Sequence, residues 1–317
     1  MAKIQSESIL YNILRYPVDA CIRRMFRKMR TSGKKDLPKD GVLILAPNHC
    51  NTLLDALVVL QCSHHPTAFG ARADIFRNPK IAALLNWLRM VPMARFRDGL
   101  AEVRNNFSVF DEAAECAVAG VPFCIFPEGK HTPGYEVQPV KSGVFRIMEA
   151  AQEKTDKTVY IVPIGLSYSD FYRPKPDIYI RYGKAIPANE ILALPPKERS
   201  EKLHQAIQEL VIKPEAKEDP LWMMILKWLI SIILSPVIIS AILLSCPIWI
   251  TSEAIVRYGV KDKAWSNTVR FACRLIGTVL LTIIYGVLGF IFLPWWGAIA
   301  LILFFWVAPN FFYQLFR

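Results

Sequence analysis

The residues best suited to chemistry are His49 and Asp55, which lie at the junction of two predicted elements. His49 follows Val42–Ala46, a fully apolar run that predicts a buried strand, and Asp55 falls within Leu53–Gln61, which predicts a helix. A histidine at the end of a strand lies where open α/β domains bind their ligands. An aspartate bonded to one imidazole nitrogen fixes the tautomer and makes the other nitrogen a general base near neutral pH. Taken alone, the pair is more typical of a helix-capping histidine and a surface aspartate.

A second group of candidate residues follows another predicted buried strand, Val121–Phe126. The chain continues there as Phe-Pro-Glu-Gly-Lys-His, a segment that contains Glu128, Gly129 and Lys130. This segment, like His49, would lie at the end of a strand, where ligands bind. The alternative for Glu128 is that it caps the helix predicted to begin near Ser142.

Together these segments resemble motifs of the PlsC-like family of glycerol-3-phosphate and lysophosphatidate (1-acylglycerol-3-phosphate) acyltransferases. The family's first motif is Asn-His-x4-Asp, and its third is Phe-Pro-Glu-Gly-Thr/Ser. Its second, arginine-bearing block is similar to residues 91–99, Val-Pro-Met-Ala-Arg-Phe-Arg-Asp-Gly, and its fourth is similar to residues 162–165, Val-Pro-Ile-Gly. The four blocks occur in the family's order and cover about residues 40–170.

The sequence departs from the family pattern at two points. Five residues, rather than four, separate His49 from Asp55. Since this spacing corresponds to roughly 240° of rotation on a regular helix, His49 must lie in the loop before the helix for the pair to meet. The third block has Lys130 where the family usually has Thr or Ser, which leaves the acceptor specificity open.

The resemblance implies an acyl transfer without a covalent acyl-enzyme. His49 would take the proton from the acceptor hydroxyl and return it to the leaving thiol, while Asp55 orients the imidazole. The donor would be an acyl thioester, either acyl-CoA or an acyl-carrier protein, used as a co-substrate. We expect no other cofactor and no metal.

The resemblance also implies how the acceptor is held. Arg95 or Arg97, with Lys130 assisting, would bind the acceptor phosphate, because a guanidinium is well shaped for phosphate. Glu128 and Gly129 would shape the acceptor pocket. The alternative for the two arginines is that they are charges on a lipid-facing surface.

An α/β domain is expected to position these residues. Strand and helix patterns alternate over residues 36–213, which predicts a mostly parallel sheet flanked by helices. The other predicted strands are Val159–Gly165 and Ile178–Tyr182. The other predicted helices are Ala101–Ala119, Gly143–Gln152 and Pro195–Ile212.

The composition indicates that one part of the chain lies in water and another part in lipid. Hydrophobic residues make up 53% of the chain, yet the formal net charge is +11. A basic chain binds nucleic acid, or else anionic lipids and phosphorylated substrates. The last third of the chain is largely apolar, and zinc-finger spacing and aromatic-rich RNA signatures are missing from the sequence. We therefore expect membrane lipids as partners and no nucleic acid.

Segments near both ends of the chain have sequence patterns typical of membrane association. Residues 1–35 predict a basic amphipathic helix that lies on anionic headgroups, or alternatively an ordinary surface helix. Residues 214–317 predict an α-helical membrane domain, with a spanning or re-entrant segment at 222–250 and a helical hairpin at 275–316. The hairpin would turn at Pro294.

These observations predict an integral membrane protein whose catalytic domain lies on the cytoplasmic face. The seven cysteines form no Cys-x-x-Cys pair, which is typical of reduced thiols facing the cytosol. The expected activity is transfer of a fatty acyl group to lysophosphatidate or glycerol-3-phosphate in phospholipid synthesis. The alternatives are an acyltransferase for another lysolipid, or a catalytically silent, lipid-binding membrane adaptor of the same fold.

Overall fold

The computed structural model describes residues 8–63, 66–93, 106–214 and 220–315, with the backbone alone for residues 106–108 and 309–315. The chain forms two compact units. The segments of the first unit are Met1–Tyr16, Lys28–Phe171 and Asp177–Pro214. The segments of the second unit are Pro17–Arg27, Tyr172–Pro176 and Glu215–Arg317.

The first unit is built on a mixed sheet with the order β1-β7-β6-β2-β5-β3-β4, in which β8 also pairs with β6. Its strands are β1 (Met29–Ser32), β2 (Val42–Pro47), β3 (Ala68–Arg72), β4 (Met90–Met93), β5 (Phe123–Cys124), β6 (Val159–Tyr168), β7 (Ile178–Tyr182) and β8 (Ile186–Pro187). Only the pairs β6–β7 and β6–β8 are antiparallel among the described strands. The predicted mostly parallel sheet is therefore confirmed.

The helices of this part of the chain begin with α1 (Ile9–Met25), which is shared by the two units. The others are α2 (Thr52–Cys62), α3 (Pro79–Trp87), α4 (Asn106–Val118), α5 (Gly143–Glu153), α6 (Ala188–Ile191) and α7 (Pro196–Gln208). Helices α4 to α7 contribute residues to the apolar cluster that also contains β2 and β6, as expected for an α/β domain.

Helix α5 shows how the sequence places a helix on the sheet. Its buried residues are Val144, Phe145, Ile147, Met148 and Ala151, which recur at helical spacing on one face. They share an apolar cluster with residues of β2 and β6. Burying one large apolar side chain stabilises the fold by about 1.5–3 kcal/mol, so this face holds the helix in place.

The N-terminal segment differs from the single amphipathic helix predicted for residues 1–35. Helix α1 ends at Met25, and β1 follows at Met29–Ser32, where it pairs in parallel with β7. Strand β1 has no alternating apolar pattern and forms on the free edge of β7, which the sequence pattern does not indicate. Helix α1 also continues through Pro17, because buried residues such as Ile22 stabilise its C-terminal half.

The second unit contains four apolar helices, α8 (Leu221–Ile233), α9 (Ser235–Tyr258), α10 (Ser266–Phe292) and α11 (Trp295–Leu315). Two helical segments in the described chain, Ser235–Tyr258 and Lys263–Phe292, are long and apolar enough to cross a membrane. The predicted segment 222–250 is broken before α9, because Pro236 fixes a backbone angle suited to the first turn of a new helix.

The last two helices are joined by a turn at Leu293 and Pro294. The helices approach closely where Gly289 faces Ala298, since a Cβ at Gly289 would lie 3.1 Å from the Cα of Ala298. Small residues at such contacts are typical of helices that pack in lipid. Trp306 Nε1 also donates to Thr282 Oγ1 at 3.0 Å, which joins the two helices by a polar contact.

Candidate active site

The His49 imidazole and the Asp55 carboxylate lie in contact at the end of β2. Nδ1 of His49 is 2.8 Å from Oδ2 of Asp55. The His49 side chain is 18% exposed, whereas Asp55 is fully buried. His49 lies in the loop before α2, as the spacing requires, and Asp55 lies in the first turn of α2. The pair thus presents a partly accessible imidazole that is held from behind by a buried acid.

The Asp55 carboxylate is fixed by further hydrogen bonds. Its Oδ2 accepts the backbone N–H groups of Cys50 at 2.8 Å and Asn51 at 2.6 Å. Its Oδ1 accepts the Tyr168 hydroxyl at 2.7 Å. Buried carboxylates need such partners, since an unpaired buried charge is costly. The loop therefore folds around Asp55, which sets the direction of the His49 ring.

Tyr168 is a residue of the site that the sequence did not indicate. It is the last residue of β6, fully buried, and lies 113 residues from Asp55 in sequence. Burial, with the nearby Asp55 charge, raises the pKa of the Tyr168 hydroxyl well above its ordinary value. The hydroxyl therefore stays protonated and acts as a donor to Asp55.

Asn48 ties the His49 loop to the sheet. Its Nδ2 donates to the Leu166 carbonyl at 3.0 Å, and its Oδ1 accepts the Leu166 N–H at 2.6 Å. The parallel register of β2 and β6, with Pro47 opposite Ile164, brings Leu166 beside this loop. Asn48 thereby extends the strand pairing by a side chain and limits the movement of His49.

The loop that follows β5 packs on the other side of His49. The Phe126 ring stacks on the imidazole, with ring centroids 4.2 Å apart and an angle of 24° between the planes. His131 meets the same ring edge-on at 5.8 Å. The backbone N–H of Thr132 donates to the His49 carbonyl at 2.9 Å. These contacts bring the two candidate segments together.

Glu128 connects the two loops through its carboxylate. Oε1 accepts the backbone N–H of His49 at 2.7 Å, and Oε2 accepts the N–H of Gln138 at 3.2 Å. Burial raises the pKa of Glu128 to about 7, although both backbone hydrogen bonds act to lower it. The two Glu128 oxygens thus accept backbone N–H groups of His49 and Gln138, neither of which belongs to α5.

Gly129 and Lys130 complete the turn after Glu128. Gly129 has a φ of 71°, a conformation that L side chains rarely adopt, and its N–H donates to the Phe126 carbonyl at 3.1 Å. Lys130 is exposed. The turn thus aims Glu128 inwards at the His49 backbone and leaves the lysine at the surface.

The two predicted arginines, Arg95 and Arg97, lie outside the described residues. Strand β4, which precedes them in sequence, ends at Met93 and runs parallel to β3. Strand β3 is parallel to β5, which is parallel to β2, so the carboxyl ends of all four strands share one edge of the sheet. Among the described residues, no three His, Cys, Asp or Glu side chains are grouped so that they could hold a metal ion.

Comparison with known proteins gives a family match to the part of the chain that carries this site. Residues 28–167 match the family described as Acyltransferase. Among solved structures, the 1-acyl-sn-glycerophosphate (LPA) acyltransferase PlsC from Thermotoga maritima is similar, with 18% sequence identity and a TM-score of 0.49. The similarity covers 66% of this chain and 83% of that chain. No curated protein matches the chain in sequence.

Proposed function

We propose that the protein transfers a fatty acyl group from an acyl thioester to the hydroxyl of lysophosphatidate or glycerol-3-phosphate, a proposal that the match of residues 28–167 to the Acyltransferase family supports. The observation that carries this proposal is the 2.8 Å contact between His49 Nδ1 and the buried Asp55 carboxylate. It supplies an oriented, partly exposed base at the edge of the sheet where open α/β domains bind ligands.

In the first step, Asp55 accepts a hydrogen bond from Nδ1–H of His49, so Nε2 carries the lone pair. Nε2 takes the proton from the acceptor hydroxyl as its oxygen attacks the thioester carbonyl carbon. The carbonyl π electrons move onto oxygen and form a tetrahedral intermediate. The resulting imidazolium is stabilised by the Asp55 carboxylate, since the two opposite charges lie in contact.

In the second step, the intermediate collapses and the carbon–sulfur bond breaks. The imidazolium returns its proton from Nε2 to the departing sulfur, so the products are an ester and a free thiol. Base and acid are the same nitrogen, and His49 ends in its starting state. The contacts of Asn48, Phe126 and Glu128 with this loop support the reaction by keeping the imidazole in one orientation.

The acceptor phosphate would be bound by Arg95, Arg97 and Lys130. Lys130 is exposed and belongs to the same turn as Glu128, which contacts the His49 backbone. The two arginines follow β4 directly in sequence, and β4 ends at the same edge of the sheet as β2. An exposed basic group in the turn that contacts the His49 backbone favours an anionic acceptor over a neutral lysolipid, and guanidinium groups suit phosphate.

We also place the protein in the membrane, with the catalytic unit on the cytoplasmic face. Two helical segments long and apolar enough to cross a membrane support the first part. The basic residues between α9 and α10 and in the first turns of α10, such as Lys261, Lys263 and Arg270, favour the cytoplasmic side. The segment 222–250 would then re-enter the membrane rather than cross it, because a full crossing by α9 would place these residues opposite the catalytic unit.

The acceptor is tested directly with the purified, detergent-solubilised full chain. Radiolabelled acyl-CoA is supplied with glycerol-3-phosphate, lysophosphatidate or lysophosphatidylethanolamine, and the labelled lipid is quantified. We expect product from one of the two phosphate monoesters. Product from lysophosphatidylethanolamine alone would replace the proposed acceptor by another lysolipid. If acyl-CoA and acyl-carrier protein both yield no product, the silent-adaptor alternative is favoured.

The role of Lys130 is tested with Lys130→Thr, which introduces the residue type usual in the family. We expect the KM for the phosphate acceptor to rise about tenfold, because a charge-assisted hydrogen bond of about 1.5 kcal/mol is lost. The matched control is Lys157→Thr, since Lys157 is an exposed lysine that precedes β6 at the opposite edge of the sheet. Equal KM values for both variants would remove Lys130 from the acceptor site.

A further inference from the structure

Helix α3 carries its large apolar side chains on an exposed face. Ile81, Leu84, Leu85 and Leu88, the residue that follows the helix, recur at helical spacing and form what is called here the α3 stripe. None of the nine residues of α3, all of which the structure describes, is buried. Ile81 is 47% exposed and Leu84 is 54% exposed. A helix of a water-soluble domain turns such a stripe towards the core, as α5 does, so this exposed stripe indicates a binding surface.

The covered side of the same helix holds a polar side chain instead. Oδ1 of Asn86 is buried and has no hydrogen-bond partner within the described part of the chain. A buried polar atom without a partner is unfavourable, whereas an exposed leucine loses the benefit of burial. Helix α3 thus has the reverse of the arrangement that contact with water alone favours.

The N-terminal half of α1 adjoins α3 and also exposes apolar side chains. The Tyr11 ring meets the Trp87 ring edge-on, with centroids 5.8 Å apart, and both residues belong to the first unit. Leu10, Ile13 and Leu14 of this half are exposed and recur at helical spacing. The exposed apolar residues are therefore distributed over two adjoining helices, an arrangement that suits a lipid surface better than a single bound acyl chain.

The charges around α3 favour an anionic surface. Residues 75–93 contain no aspartate and no glutamate. Arg77 and Lys80, at the beginning of the helix, are exposed. Basic side chains beside an exposed apolar stripe are typical of helices that lie on anionic membranes. A second copy of the chain bound through the same face would bring these like charges together, which disfavours self-association.

Helix α3 also begins at the edge of the sheet where the candidate active site lies. It follows β3, whose carboxyl end shares that edge with β2. Since α3 connects the parallel strands β3 and β4, it runs back along the sheet, so its first turn lies towards the His49 edge. Lipid bound along this helix would hold the site close to acceptors and products that reside in the membrane.

We propose that the α3 stripe lies in the headgroup layer of an anionic membrane, so that the catalytic unit contacts lipid through its own surface. The leucine and isoleucine side chains enter the boundary between headgroups and acyl chains, while Arg77 and Lys80 bind lipid phosphates. The proposal rests on the membrane placement proposed above and is independent of the acyl-transfer chemistry. It adds a lipid contact to those expected from the N-terminal segment and the apolar helices of the second unit.

The test is photochemical crosslinking of the full chain in nanodiscs that contain phosphatidylcholine and phosphatidylglycerol. The photoreactive residue p-benzoylphenylalanine replaces Leu84, and intact-protein mass spectrometry detects covalent lipid adducts after irradiation. We expect a lipid adduct at this position, and also at Ile81 in a second variant, which decides if the first does not fold. Leu288, an exposed residue of the apolar helix α10, reports on the membrane placement itself. Glu201, an exposed residue of the charged helix α7, is the control that should give no adduct.

Variants of the two basic residues test the preference for anionic lipid. Arg77→Gln and Lys80→Gln should each weaken the binding of α3 to the membrane about fivefold, since each removes one attraction to the anionic surface. The phosphatidylglycerol content that gives half of the maximal adduct yield at Leu84 should rise accordingly. Lys197→Gln is the matched control, because Lys197 is an exposed lysine of α7, and it should leave this content unchanged.

The outcomes separate this lipid contact from the membrane placement on which it rests. Lipid adducts at Leu288 but at neither Leu84 nor Ile81 would overturn the α3 proposal alone, whereas adducts at none of the three would overturn both. Crosslinks between two copies of the chain in place of lipid adducts would assign the stripe to self-association and overturn the proposal. A yield at Leu84 that falls when acyl-CoA is added would assign the stripe to the donor's acyl chain. Equal yields at Glu201 and Leu84 would also overturn the proposal, because the contact would not be specific to α3.

Discussion

The Glu128 carboxylate accepts the backbone N–H of His49 at 2.7 Å, so the glutamate of one loop holds the backbone of the proposed base in the other. The second carboxylate oxygen accepts the N–H of Gln138, which fixes Glu128 in turn. Because both oxygens bind backbone groups of the protein, the structure supports a positioning role for Glu128 in addition to the shaping of the acceptor pocket.

This buried glutamate should make stability depend on pH. Burial raises the pKa of Glu128 from 4.5 to about 7, so between these values the folded chain keeps a proton that the unfolded chain releases. The stabilisation from this group is therefore fully present below the unfolded pKa of 4.5, and it is lost as the pH rises through the folded pKa of about 7. Between about pH 5 and pH 8, the unfolding midpoint of the unchanged chain should fall relative to that of Glu128→Gln.

Thermal unfolding of both proteins at a series of pH values measures this difference. The control is Glu136→Gln, because Glu136 is an exposed glutamate of the same region. Its midpoint should follow that of the unchanged chain at every pH. Parallel curves for Glu128→Gln and the unchanged chain would contradict the assignment of a raised pKa to Glu128.

Tyr168→Phe should lower catalysis without disturbing the sheet. The substitution removes only the hydroxyl that donates to Asp55. A hydrogen bond to a charged group contributes about 1.5–3 kcal/mol. If part of that contribution is lost in the transition state, kcat should fall by about tenfold or more, with KM little changed. Steady-state kinetics on both substrates measure the change.

The control for this variant is Tyr182→Phe in the neighbouring strand β7. The Tyr182 hydroxyl is buried and has no hydrogen-bond partner among the residues that the structure describes. Its removal should leave activity unchanged and stability equal or higher, because a buried polar group without a partner is unfavourable. A similar loss of kcat in both variants would mean that Tyr168 does not act through Asp55.

Asn48→Ala should destabilise the fold and loosen the His49 loop. The change leaves the N–H and C=O groups of Leu166 without their side-chain partner in a buried position. Each buried group left unsatisfied costs about 1–3 kcal/mol, so for the two groups we expect a loss of about 2–6 kcal/mol in the free energy of unfolding. Chemical denaturation measures this free energy, and Asn78→Ala serves as the comparison.

Asn78 caps helix α3 at an exposed position and accepts the N–H groups of Lys80 and Ile81. Loss of such a cap costs about 1 kcal/mol, so Asn78→Ala should be the milder change and should retain activity. If the two asparagine variants were equally stable, the bonds between Asn48 and β6 would not hold the loop.

Gly129→Ala should affect activity more than stability alone explains. Its φ of 71° costs an alanine about 1–2 kcal/mol, while the space for a Cβ is sufficient, since the nearest atom is 3.7 Å away. Gly120→Ala is a matched control with a φ of 85° and open space around it at the end of α4. Both should lose similar stability in denaturation experiments, but only Gly129→Ala should lower kcat, because it shifts Glu128. Equal activities of the two alanine variants would show that this turn does not influence the candidate active site.

The sequence predicts the strands that carry long apolar runs and misses those that depend on their neighbours. The predicted apolar runs locate β2, β6 and β7, because buried strands of a parallel sheet are almost continuously apolar, although β2 and β6 extend beyond the predicted ends to Pro47 and Tyr168. Strands β1 and β3 have short or mixed patterns and form by pairing with strands that are already placed. Local patterns do not contain that information.

The same limit applies to the site. His49 and Asp55 are close in sequence, so their motif predicts the pair, and the rotation of a helix predicts that His49 lies in the loop. Tyr168 reaches Asp55 only through the register of β2 and β6, with Pro47 opposite Ile164. A single sequence does not reveal this register, and hence the hydroxyl that supports Asp55 emerges from the structure alone.

The most direct test of the account is the activity of His49→Ala in the full chain with the acceptor that yields product. General acid–base catalysis by a side chain contributes about 10²–10⁴-fold, so kcat should fall by at least a hundredfold, with little change in KM or the unfolding midpoint. His204→Ala is the control, since His204 lies in α7 and bonds the Val137 carbonyl. Activity that survives in His49→Ala at a level near that of the control would contradict the assignment of His49 as the base.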